Sequence, residues 1–150
     1  KDPKNIFQGI VGKEEKIDLS ICNPPFHSSI KDAQKGTSRK IKNLTGKREN
    51  TLKLNFAGIE NELICEGGEY QFIQNMINES RQISKDCYWF STLVSKQSNL
   101  KGIYKLLEIF EAEQIETIPL GTSNKSSRIV VWTFLSKAEQ KEWKETRWKI

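Results

Sequence analysis

The order of apolar and polar segments along these 150 residues predicts an α/β layer structure. Three observations carry it. An apolar run, Ile17 to Cys22, stops at two consecutive prolines, and an aromatic and β-branched run, Cys87 to Val94, stands between two stretches of helical period. Two further short runs, Ile115 to Leu120 and Arg128 to Leu135, are separated by only seven polar residues, Gly121 to Ser127. Seven residues are too few for a parallel crossover, so that last pair is expected to be antiparallel within an otherwise mostly parallel sheet.

The elements follow in order. Lys4 to Val11 reads as a single helical turn, followed by a charged loop from Gly12 to Lys16. Ile17 to Cys22 is apolar enough to be expected as a strand buried on both faces. From Ser28 to Asn55 the chain is polar, without sustained apolar period, and reads as a basic mobile loop. Helical patterning begins near Phe56 and pauses at Gly67-Gly68. It resumes with Phe72, Ile73, Met76, Ile77, Ser80 and Ile83 on one face, with Glu69 near the positive end of the helix dipole. Cys87 to Val94 is expected to be a central strand. Ser98 and Asn99 suit the start of a helix that buries Leu100, Ile103, Tyr104, Leu107 and Phe110. Ser136-Lys-Ala-Glu139 is a capping-box pattern, so Lys137 to Lys149 is expected to end the chain as a helix anchored by Trp143. No internal repeat is present.

Length and composition bound the rest. The chain suits one domain spanning 1–150, with the 28–55 loop inside it. The net charge is +5, and its distribution is uneven: between Lys31 and Lys53 eight basic residues face only Asp32 and Glu49. Cys22, Cys65 and Cys87 are odd in number and widely spaced, and His27 is the sole histidine, which argues against a zinc site or a disulfide framework. The thiols read as small buried hydrophobes in a reducing compartment. No run approaches the length of a membrane span and no signal-peptide pattern opens the chain, so a cytoplasmic protein without metal is expected. The sole methionine is Met76 and the chain opens Lys-Asp-Pro-Lys-Asn, the pattern of a processed or excised piece.

The most informative residues are Asn23-Pro24-Pro25-Phe26, directly after the first strand. Proline fixes its own φ, lacks an N–H and holds the preceding residue extended, so two in a row make a stiff turn. Such a turn leaves the Asn23 amide and the Pro24 carbonyl free to accept hydrogen bonds from an NH2 group, and offers the Phe26 ring for stacking on a base. The plain alternative is a strand ending in a proline turn beside a core phenylalanine. Ligands of open α/β sheets bind beyond the carboxyl ends of strands, where Asn23 falls. His27 reads as a neighbour that shapes the pocket, Trp89 and Trp132 as core residues, and Glu66 and Glu69 as flanking a helix cap rather than as an acid–base pair.

Four segments in the same order resemble the ribosomal RNA large-subunit methyltransferase F family. They are Ile21-Cys-Asn-Pro-Pro-Phe-His27, Glu66-Gly-Gly-Glu69 before a helix with Phe72, Trp89-Phe-Ser-Thr-Leu-Val-Ser-Lys96, and Lys125-Ser-Ser-Arg128 followed by Trp132-Thr-Phe134. The resemblance implies the C-terminal half of a Rossmann-like class I methyltransferase sheet. It implies S-adenosylmethionine as co-substrate and transfer of its methyl group to the N6 amine of an adenine in large-subunit ribosomal RNA, free or in a precursor particle. It places Asn23, Pro24, Pro25 and Phe26 in catalysis, with Asn23 also touching the cofactor. Backbone contacts to RNA are expected from Lys35, Arg39, Lys40, Lys42, Lys47, Arg48, Lys125 and Arg128. Family members carry a preceding half with a Gly-rich turn that grips the cofactor, and no G-x-G-x-x-G turn occurs in these residues, so the chain corresponds to the substrate side. Two other classes use the same features: a non-catalytic RNA-binding portion of a larger protein, and a protein-glutamine methyltransferase, whose turn more often ends in tyrosine.

Overall fold

The computed structural model describes residues 5–25, 65–121 and 127–150. The chain divides into two compact units, Lys1–Asn23 with Ile73–Ile150, and Pro24–Phe72. The basic loop expected from Ser28 to Asn55, the helical pattern expected from Phe56 on to residue 64, and Phe26, His27 and Lys125 lie outside the described residues.

The larger unit is built on a four-stranded sheet in the order β1-β2-β4-β3. β1 (Ile17–Cys22) runs parallel to β2 (Cys87–Val94), in a register that sets Leu19 beside Trp89 and Cys22 beside Thr92. β4 (Arg128–Thr133) is antiparallel both to β2, with Trp132 opposite Phe90, and to β3 (Gln114–Pro119), with Pro119 opposite Arg128. The short connection therefore makes an antiparallel final pair, as its length requires. The sheet is mixed because β4 inserts between β2 and β3 and so reverses direction against both neighbours. β2 is central, which explains its aromatic and β-branched composition and its nearly continuous burial.

Residues directly opposite one another share a sheet face. One face carries Phe90, Thr92 and Val94 of β2 with Arg128, Val130 and Trp132 of β4, all buried. Two helices cover it. From α1 (Gly68–Ser80) come Ile73, Met76 and Ile77, and the Ser80 hydroxyl accepts a hydrogen bond from the Trp132 indole at 3.3 Å. From α2 (Leu100–Ile109) come Ile103 and Leu107, while Tyr104 and Thr117 of β3 share a hydroxyl hydrogen bond of 2.6 Å. Asn99, expected to cap α2 with Ser98, is already helical (φ −77°, ψ −23°) and makes no side-chain cap, because a 3-10 turn over Gln97–Asn99 leads straight into the helix.

The opposite face corrects the reading of β1. Leu19 and Ile21 are 50% and 81% exposed, so this strand is not buried on both sides. Among the described residues it is the edge strand of the sheet, and Leu19 and Ile21 lie on its exposed face. The cysteines divide likewise: Cys87 is buried, but Cys22 and Cys65 are only partly so.

α3 (Lys137–Trp143) starts with the expected capping box. The Glu139 amide donates to Ser136 Oγ at 3.3 Å, and the Ser136 amide donates to the Glu139 carboxylate at 2.7 Å. A π-helical turn, Lys144–Trp148, carries the chain on until Lys149 reverses it at φ 56°. In the smaller unit, Cys65 to Gly68 make a tight turn closed by a 2.7 Å bond from the Gly68 amide to the Cys65 carbonyl. Gly67, at φ +81°, would set a Cβ 2.6 Å from that of Gln71, so only glycine fits ahead of α1. Among the described residues no helix is long and apolar enough to cross a membrane.

Candidate active site at the end of the first strand

β1 delivers Asn23 to the carboxyl end of the sheet. The side chain is exposed, and the two residues after it, Pro24 and Pro25, are buried. An exposed amide followed by a buried, N–H-free dipeptide has few ways to move: the prolines fix the backbone and their burial fixes the prolines. Cys22, just before, is half-buried, and burial raises its thiol pKa against the opposing effect of the Thr92 hydroxyl. That group stays a neutral thiol.

The rest of β1 is tied down so that its end is well placed. Ser91 Oγ donates to the Ser20 carbonyl at 2.7 Å. Asp18, near the amino end, accepts indole N–H bonds from Trp143 at 2.8 Å and Trp148 at 2.7 Å, and Arg147 Nε lies 3.5 Å away. Tyr88 packs its ring against both tryptophans. The segment ahead of β1 is held too: the backbone amides of Ile6, Phe7 and Gln8 all donate to the Glu79 carboxylate, and Phe7 meets Phe90 edge-on at 5.7 Å.

The Asp18 clamp has a pH dependence. The Trp143 indole, then that of Trp148, hold its carboxyl below its ordinary 3.8, with Arg147 adding to this and burial opposing it. A carboxyl more acidic in the folded state stabilises that state above its unfolded pKa and loses the contribution as pH falls through the folded one. In the full-length protein, Asp18→Asn is therefore expected to lower the urea midpoint at neutral pH and to flatten its fall below pH 4 (about the unfolded carboxyl value). Parallel acid limbs in both proteins would show that the clamp does not titrate with folding.

Of the expected site residues, the structure places Asn23, Pro24, Pro25 and Arg128. Arg128, expected to contact the RNA backbone, is the first residue of β4, 8% exposed, with Nη1 buried and lacking a hydrogen-bond partner. It lies opposite Val94, two residues beyond the Thr92 that partners Cys22. Asn23 and Arg128 thus stand on either side of the carboxyl end of β2, about 10 Å apart by two strand spacings. Lys96, two residues past that end, rises from the same edge.

Trp132 is a core residue, as expected, and Trp89 is only partly buried beside the Tyr88 cluster. Glu69 sits in the first turn of α1 and is buried. Sequence reasoning missed the Asp18 and Glu79 hubs, since a lone carboxylate carries no pattern; only the tryptophan-rich terminus hinted that Asp18 had partners. A groove of about 420 Å³ bounded by Lys16, Lys85, Trp143 and Arg147 lies at the opposite ends of the strands, and its three cations already face Asp86, Glu139 and Asp18. Among the described residues no cluster of three His, Cys, Asp or Glu side chains is arranged to hold a metal.

A family model described as RNA methyltransferase matches residues 1–136. The chain is 51% identical over 147 residues to the ribosomal RNA large subunit methyltransferase F of Cytophaga hutchinsonii, covering 98% of this chain and 46% of that protein. It thus spans about half the length of the curated relatives it matches. Among solved structures, the human Mettl16 catalytic domain in complex with MAT2A 3'UTR hairpin 1 is similar with a TM-score of 0.64 at 23% identity, over 84% of this chain and 42% of that one. The N-terminal domain of human METTL16 in complex with SAH is similar with a TM-score of 0.52 at 21% identity, over 84% and 37%. These two share the fold. With a matching family model over nine-tenths of its length, the chain belongs to the RNA methyltransferase family.

Proposed function

We propose that the protein containing this chain transfers a methyl group from S-adenosylmethionine to the N6 amine of an adenine in large-subunit ribosomal RNA. On this reading the chain is the substrate-side, C-terminal half of a Rossmann-like class I methyltransferase. The single observation that carries it is the exposed Asn23 amide at the carboxyl end of β1, held by two buried prolines. The name of the relative in Cytophaga hutchinsonii supports the ribosomal substrate.

An aromatic amine is a poor nucleophile because its lone pair is delocalised into the ring. The Asn23 side-chain oxygen and the Pro24 carbonyl accept the two N–H bonds of that amine, favour a pyramidal nitrogen and aim its lone pair. S-adenosylmethionine supplies, when bound, an electrophilic methyl group on a sulfonium. As the nitrogen–carbon bond forms and the sulfonium's bond to that carbon breaks, the positive charge developing on nitrogen faces two fixed oxygen dipoles, and the nitrogen then loses one proton to water, so catalysis rests on orientation and electrostatics with no strong base. The donor set fits: an uncharged, exposed amide tolerates a cationic methyl donor beside it. Phe26 stacks on the base, which must leave its helix to reach the turn, so an unpaired adenine is the target. Lys35, Arg39, Lys40, Lys42, Lys47, Arg48 and Lys125 supply backbone attraction that weakens with salt. The protein works in the cytoplasm on ribosomal RNA or a precursor particle.

The test is to incubate the purified full-length protein with tritiated S-adenosylmethionine and with protein-free or partly assembled large-subunit RNA, then digest to nucleosides. Label co-eluting with N6-methyladenosine is the expected result. Label in protein glutamine, or none in either RNA preparation, refutes the proposal.

A further inference from the structure

Among the described residues Arg128 carries the one buried side-chain nitrogen or oxygen without a hydrogen-bond partner. Its residue is 8% exposed and its Nη1 is buried without a partner. A guanidinium keeps its charge at every relevant pH and presents five N–H donors in a fixed fork. Drying one of its nitrogens without an acceptor costs free energy, and burying the aliphatic stem offsets this only in part. Such a group makes sense where a ligand completes it, and the complement of the fork is an oxyanion taking parallel N–H bonds.

Position narrows the ligand. Arg128 starts β4 between Val94 and Pro119, at the carboxyl ends of β2 and β3, which is the edge where open α/β sheets bind ligands. Asn23 stands one strand beyond β2 on the other side.

We propose that Arg128 grips a phosphate of single-stranded RNA next to the target nucleotide and so holds the base at Asn23. The proposal rests on the functional reading above and deepens it by naming a positioning residue. Exposed lysines add diffuse attraction; a buried guanidinium adds placement. Its loss should therefore fall more on the rate at saturating RNA than on affinity.

The experiment uses the full-length protein with Arg128→Met, which keeps the stem without the charge, and Arg128→Lys, which keeps charge without the fork. Without RNA, Arg128→Met is expected to melt at or above the wild-type temperature, because a buried guanidinium with an unpartnered nitrogen gives way to an apolar side chain. With an RNA hairpin bearing an unpaired adenine, Arg128→Met should transfer methyl about a hundredfold more slowly at saturation. Its RNA dissociation constant should rise severalfold while affinity for S-adenosylmethionine stays within twofold, and Arg128→Lys should fall between.

Full-rate transfer by Arg128→Met overturns the proposal. So does weakened S-adenosylmethionine binding with unchanged RNA affinity, which would make the oxyanion the carboxylate of the methyl donor. A lower melting temperature in Arg128→Met would make Arg128 structural and overturn it as well. If the wild-type protein transfers no methyl group, the functional reading fails separately. RNA affinity then decides Arg128: a severalfold loss in Arg128→Met supports the phosphate contact, and no loss removes it.

Discussion

Asn23→Ala in the full-length protein is expected to slow methyl transfer by about a hundred- to a thousandfold, the range seen when one preorganised polar partner of a developing charge is removed. The side chain is exposed, so folding should be untouched, with stability within about 0.5 kcal/mol of wild type. RNA affinity should hold too, because one neutral hydrogen bond adds little to binding spread over many phosphates. Asn23→Asp separates the acceptor from the amide: it keeps an oxygen for the amine, so it should retain more activity than alanine. The measurement is single-turnover transfer to the RNA hairpin, with melting temperature and RNA binding alongside. Alanine at wild-type rate would mean that the proline turn only ends a strand. Aspartate no better than alanine would mean that the amide N–H2, rather than the oxygen, is what the site needs.

The largest effect on stability is expected at Trp132. Its side chain is fully buried, stacked on Phe90 with centroids 5.7 Å apart and planes within 16°, and its indole N–H donates to Ser80. Ser80 in turn donates to the Ile77 carbonyl at 2.7 Å, so one residue joins β4, β2 and α1. Trp132→Ala should cost about 3–5 kcal/mol through lost burial and an uncollapsed cavity. Against a typical total of about 5–15 kcal/mol this is a large share, and the variant should unfold at markedly lower urea. Trp132→Phe keeps the stack but drops the indole hydrogen bond and some volume, so it should cost roughly 1–3 kcal/mol. Urea midpoints of the full-length protein measure both. A loss below about 1 kcal/mol in the alanine variant would show that the sheet and α1 close up without this ring.

Much of the frame was readable because its signals are local. β2 is bounded as its aromatic and β-branched run suggests, the Ser136–Glu139 box starts α3, and Ile103 and Leu107 face inward at helical spacing. Trp143 anchors the terminus as expected, although the Asp18 carboxylate it binds lies 125 residues away in the chain. Asn99 misled because a side chain suited to capping gives no sign that the backbone before it is already turning.

Within the described residues the sequence by itself determined which segments become strands and helices, that the last two strands are antiparallel, and that an Asn-Pro-Pro corner ends the first strand. Each follows from torsional preference, period or loop length within a few residues. Only the tertiary structure decided that β4 enters between β2 and β3, that Leu19 and Ile21 face outward, and that Arg128 lies buried across β2 from Asn23. Those depend on which strand pairs with which. Pairing is settled by contacts between residues far apart in the chain, so whether an arginine at a strand end meets water or is enclosed at a binding edge is not written in its neighbours.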